Sequence, residues 1–67
     1  MKYGDFIKVD NILFKVVGGT IENNEKCYEC KPLVGNVLLL KDYVDNHYEL
    51  VRENNIGIPI EFESYDK

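Results

Sequence analysis

The sequence predicts a small all-β domain of about five strands with an added C-terminal edge strand. Three observations point there. Alanine, glutamine and tryptophan are absent while Ile, Val, Tyr and Phe are plentiful, so the best helix former is missing and the residues that fill pleated surfaces dominate. Short apolar runs alternate with Asp-Asn, Asn-Asn and Gly-Asn pairs, which are turn-forming residues. Near the C-terminus Ile56, Ile58, Ile60 and Phe62 recur with a period of two. The chain has 67 residues, enough for one domain with a thin core and too few for a deep catalytic cleft.

Phe6-Ile7-Lys8-Val9 and Ile12-Leu13-Phe14-Lys15-Val16-Val17 are separated only by Asp10-Asn11, two residues that tolerate positive φ, and this spacing predicts a hairpin. Gly18-Gly19 is expected to end the second strand. Thr20 to Lys26, centred on Asn23-Asn24, reads as an exposed turn. Cys27 to Lys31 forms a third strand that stops before Pro32, because proline cannot donate to a ladder. Gly35-Asn36 turns the chain into Val37-Leu38-Leu39-Leu40, which is too short and continuous for a helix and fits a strand. Lys41 to His47 reads as a short helical turn or loop, and Tyr48 to Arg52 resumes as a strand broken by Asn54-Asn55. In the last segment Gly57, Pro59, Glu61 and Glu63 alternate with the apolar set, which predicts a half-buried strand confined to an edge by Pro59.

Tyr3-Gly4-Asp5-Phe6-Ile7-Lys8-Val9, the following turn, Leu13-Phe14-Lys15-Val16-Val17-Gly18 and the later Tyr48-Glu49-Leu50-Val51 together resemble small SH3-like, KOW-like barrels. The resemblance covers residues 3–53, which it implies form a barrel core; the chain length predicts one domain over residues 1–67, and the alternation a C-terminal strand at 56–63. It carries over no functional residue, since a fold is not a function.

Charge is unevenly spread along a chain of net charge −4. Residues 1–41 hold six lysines against five acids, whereas 42–67 hold Arg52 and Lys67 against seven acids. No basic stripe is visible in the linear sequence, so duplex nucleic acid is not an expected partner. No apolar run approaches the roughly 20 residues of a membrane span, and the Met1-Lys2-Tyr3-Gly4 start has no apolar signal segment, so no membrane partner and a cytoplasmic location are expected. Lys, Asn, Ile and Tyr share AT-rich codons, a composition typical of low-GC bacteria and their phages.

The residues that carry chemistry are few. Cys27 and Cys30 form one Cys-x-x-Cys pair, but a tetrahedral zinc needs two further ligands and His47 is the only histidine, so neither metal nor cofactor is expected. On a strand, residues three apart face opposite sides, which also disfavours a disulfide; one buried and one edge thiol are expected. His47 reads as an exposed loop residue, because no oxyanion-hole motif accompanies it and only Thr20 and Ser64 offer aliphatic hydroxyls. Glu53, Glu61 and Glu63 read as solvated edge charges rather than as an acid/base pair. Gly18-Gly19-Thr20 is too short to cradle a phosphate. No catalytic residue is assigned.

Binding is the expected role. Tyr3, Tyr28, Tyr43, Tyr48 and Tyr65, with three phenylalanines, are a generous aromatic supply, and a flat ring offers stacking area plus a hydroxyl. Tyr43 and Tyr48 are the expected anchors, with Asp42, Asp45, Glu49 and Glu53 supplying charge, for another protein engaged by a phage or bacterial accessory module. The alternative is capture of a small nucleotide at a protomer interface, with tyrosines on the base and Lys8, Lys15, Lys26 or Lys31 on phosphate. Ile56, Ile58, Ile60 and Phe62 are the expected homo-oligomer interface, since an apolar edge strand completes its burial by pairing.

Overall fold

A computed structural model describes residues 1–63. Five strands form one antiparallel sheet: β1 (Phe6–Val9), β2 (Ile12–Glu22), β3 (Glu25–Lys31), β4 (Val37–Leu40) and β5 (Tyr48–Arg52), in the order β4-β3-β2-β1-β5. One helix, α1 (Lys41–His47), links β4 to β5. Tyr65 and Ser64 of the sequence reading lie outside the described residues.

Two tight turns set the register. Asp10 and Asn11 have φ of 52° and 66°, and Asn23 and Asn24 have 51° and 64°. Two successive positive-φ residues match the right-handed twist of flanking strands, and Asn and Asp tolerate that conformation better than other non-glycine residues. Thus Val9 faces Ile12 across the first turn and Glu22 faces Glu25 across the second.

β2 differs from the expectation: it runs for 11 residues straight through Gly18-Gly19. The reason is a bulge. Val16 pairs with Cys30 and Gly18 with Glu29, so Val17 is the extra residue. A bulge shifts the alternation by one, so Gly19, opposite Tyr28, joins the face that carries Val16 and Cys30. That inner face, together with Val44 of α1, makes the core of Ile7, Val9, Phe14, Val16, Tyr28, Cys30 and Val44. With seven residues and no side-chain cap, α1 is too short to be stable alone; buried Val44 holds it against the sheet.

The C-terminal segment also departs from the expectation. Residues 56–63 form no regular strand and make two isolated bridges, Pro59 with Lys2 ahead of β1 and Glu63 with Thr20 of β2. The Tyr3 amide donates to the Ile58 carbonyl (2.9 Å) and the Ile60 amide to the Met1 carbonyl (3.2 Å), so the N-terminal residues divert the segment across the inner face. Ile60 and Phe62 then pack on their own core. Gly19 permits the crossing: a Cβ there would lie 2.7 Å from the Glu61 carbonyl oxygen and 2.7 Å from Ile60 Cγ2. Phe62 reaches Tyr28, with ring centroids 5.4 Å apart.

A buried carboxylate locks the other end. Asp5, 3% exposed, accepts the Lys2 amide (2.9 Å) and the Asn54 amide (2.8 Å), tying the chain start to the exit of β5.

Candidate functional site

The structure gathers some of the expected binding residues around α1 and commits others elsewhere. Tyr43 projects from α1, where its hydroxyl donates to both carboxylate oxygens of Asp10 (3.0 and 2.8 Å) in the β1–β2 turn. Hydrogen bonding to that carboxylate raises the Tyr43 phenol above its ordinary pKa. One turn on, the His47 ring stacks on Tyr43 with centroids 4.2 Å apart and an interplanar angle of 16°. Tyr48 opens β5 opposite Val9, beside the same turn. Tyr43 and Tyr48, 43% and 40% exposed, therefore flank the Asp10-Asn11 turn.

The acids behave differently. Asp45 accepts the Tyr28 hydroxyl (2.7 Å) and the Lys41 ammonium (2.6 Å). Burial alone would push the Asp45 carboxyl up, but these two hydrogen bonds outweigh it and hold the group below the usual carboxylate range. The same contact, added to burial, raises the Tyr28 phenol, and it raises the Lys41 amine. Asp45 is thus a bracket between β3 and α1 rather than a free charge. Glu53 faces Lys2 at 3.5 Å, and Glu49 sits opposite Lys8 in the ladder. Asp42 is exposed and has no cation partner among the described residues.

The expected oligomer surface is split. Ile60 and Phe62 are half-buried on their own core, whereas Ile56 and Ile58 remain 92% and 66% exposed. Among the described residues the sheet's free edges are elsewhere, because β4 pairs only with β3 and β5 only with β1. Every residue of β5 is exposed, including Leu50 and Val51.

Both cysteines are free and buried, so the edge thiol expected from the sequence is not found. Burial pushes the Cys30 thiol up to about 11. Burial raises Cys27 as well, with Glu25 and Glu22 adding to the shift. Thiols so disposed are poor nucleophiles. Among the described residues no group of three or more His, Cys, Asp or Glu side chains converges, and no helix is long and apolar enough to cross a membrane.

The lysines fall on two faces. Lys26 lies over the Phe62 ring (5.7 Å) with the inner-face residues. Lys15 lies over the Phe6 ring (5.8 Å) on the outer face, where Phe6 pairs with Lys15 on one side and Arg52 on the other. Sequence reasoning passed over Phe6, Asp5 and Arg52. Asp5 had no signal beyond its place before a strand, and the other two are brought together only by register. Comparison with protein-family models, with curated proteins and with solved structures found no match to this chain.

Proposed function

We propose that this protein is a non-enzymatic binding module that takes an extended segment of another protein onto the free edge of β5. The observation that supports this reading is a strand that, among the described residues, is paired on one side alone and whose five residues, Tyr48, Leu50 and Val51 among them, are all exposed, with Tyr43 one helical turn before its start. An edge strand offers a row of backbone donors and acceptors that an incoming strand can satisfy, while adjacent side chains choose the sequence. Glu49 within β5 and Glu53 just past its end favour a segment with basic as well as apolar residues, whereas Asp42 lies with Asn24, Glu25 and Lys26 near the β2–β3 turn. Tyr48 at the start of β5, with Tyr43 across the Asp10-Asn11 turn, supplies rigid contact area at small entropic cost. Val51 is the extra residue of the β1–β5 bulge, a device that re-aims side chains at an edge.

The test is affinity capture from cells that contain the protein, run in parallel with Leu50→Lys and Tyr43→Ala, followed by hydrogen exchange on the captured complex. The expected result is one polypeptide, lost with both substitutions, that protects the Tyr48–Arg52 amides. Capture indifferent to both substitutions, or protection confined to other strands, refutes the reading. Protection of the same amides by a second copy of the chain would also refute it and would assign the edge to self-association.

A further inference from the structure

Folding assembles a basic row that the linear sequence hides. Read across four strands, Arg52, Phe6, Lys15 and Lys31 are successive partners: Arg52 pairs with Phe6, Phe6 with Lys15, and Lys15 with Lys31. Directly paired residues share a face, so this row spans the outer side of the sheet over three strand spacings, about 14 Å. Lys8, two residues along β1 from Phe6, adds a fourth cation to that face, with Glu49 of β5 opposite it in the ladder. All four cations are exposed. Lys15 and Lys31 stand opposite each other, an arrangement that is unfavourable between like charges. No acid lies within ion-pair distance of Lys8, Lys15, Lys31 or Arg52 among the described residues, where the two ion pairs belong to Lys2 and Lys41.

The surface about this row is hollowed on both sides of Phe6. One hollow of about 480 Å³ is bordered by Phe6, Lys15, Arg52, Glu53 and Asn55. Its acid, Glu53, faces Lys2, and the exposed Asn55 amide lies at its rim. A second hollow of about 250 Å³ continues past Lys15 to Lys31, Pro32 and Leu33. A half-buried ring with cations on both flanks and an amide at the rim matches a base carried between phosphates. Two hollows that meet at Phe6 and Lys15 match a chain of nucleotides better than a single one.

We propose that the outer face of β5-β1-β2-β3 binds single-stranded nucleic acid, with Phe6 as the stacking platform, Arg52, Lys15, Lys31 and Lys8 on phosphates, and Asn55 on a base edge. Bases stack on aromatic rings with little regard to sequence, and flexible single strands follow a charged track. A duplex is disfavoured, because the row presents neither a helix nor a two-stranded ribbon to enter a groove. This face meets the proposed protein-binding edge along β5, where Arg52 belongs to the row and Glu49 stands opposite Lys8, but the variants that test it, at Phe6, Lys15 and Lys31, lie off that strand.

The test is fluorescence anisotropy with labelled mixed-sequence RNA and DNA single strands of about 12 nucleotides, within the span of small single-strand binders. Four neutralised phosphates give a salt slope of about −2.8, so affinity should fall roughly fifty-fold between about 50 and 200 mM salt. Lys15→Gln and Lys31→Gln should each reduce that slope by about 0.7. Phe6→Leu, which keeps an apolar side chain at a half-buried position, should weaken binding about tenfold. Lys26→Gln, on the inner face, should leave it unchanged. Circular dichroism on each variant separates lost binding from lost folding. The proposal is overturned by no binding at low salt, or by equal losses for Lys26→Gln and Lys15→Gln. It is equally overturned if polyglutamate, a mononucleotide or a duplex of the same length competes as well as the single strand.

Discussion

Replacing Gly19 by alanine tests whether the C-terminal segment belongs to the fold. A Cβ at this position would meet the Glu61 carbonyl oxygen at 2.7 Å, Ile60 Cγ2 at 2.7 Å and Phe62 Cδ1 at 3.0 Å. The first of these is backbone, so the segment must lift rather than adjust a rotamer. Lifting it exposes Ile60 and Phe62, both half-buried. Full burial of such side chains is worth about 1.5–3 kcal/mol each, so half-burial of the pair contributes about 1.5–3 kcal/mol. A Gly→Ala change without strain stabilises by about 0.4–1 kcal/mol through the unfolded chain, which leaves a net loss of about 1.5 kcal/mol. For a domain of this size that lowers Tm by about 6–12 °C. Gly18 is the internal control, since a Cβ there meets nothing nearer than 3.7 Å and Gly18→Ala should be neutral or slightly stabilising. Thermal melts followed by circular dichroism measure both. A double-mutant cycle with Phe62→Ala sharpens the assay: once Gly19→Ala has lifted the segment, losing the Phe62 ring should cost little more. Equal Tm values for the Gly18 and Gly19 variants, or additive effects of Gly19→Ala and Phe62→Ala, would refute the reasoning.

Asp5→Ala leaves the Lys2 and Asn54 amides without their acceptor in a buried place, and should cost about 3 kcal/mol, read as a shift in the urea midpoint at unchanged slope. Asp45 makes stability depend on acid. Its carboxyl ionises at lower pH in the folded chain than in the unfolded one, so its contribution is complete above the unfolded value of about 3.9 and is lost as pH falls through the lower folded value. Urea midpoints of wild type and Asp45→Asn should therefore differ at pH 7 and converge on acidification below about pH 4; a constant gap would contradict the bracket between Tyr28 and Lys41.

Much of the sheet was legible because its signals are local. Asp10-Asn11 and Asn23-Asn24 both announce their turns by residue type, and four of the strands lie where their apolar runs predict. What was hidden depends on contacts between distant segments. Gly18-Gly19 looked like a stop, yet Gly19 is needed because residues about forty positions later pass over it. The alternation of Ile56 to Phe62 promised a strand, but backbone partners at Met1 and Tyr3 draw the segment off the ladder. Asp45 looked like surface charge until the buried Tyr28 was found beneath it. The lysines at 8, 15 and 31 are far apart in sequence and become neighbours only through register, a property no window along the chain can display.

The crossing of residues 58–63 over the inner face divides the molecule into parts of unequal cohesion. Strand ladders hold the sheet, whereas two isolated bridges and two half-buried side chains hold the cover. Opening the cover alone therefore requires less free energy than unfolding the whole chain, and native-state hydrogen exchange should find the Ile60 amide exchanging ahead of those of β2 and β3. Each such opening bares Tyr28 and Gly19 while the outer-face lysines and the β5 edge stay in register, so both proposed binding surfaces persist through the protein's most frequent excursion from its native state.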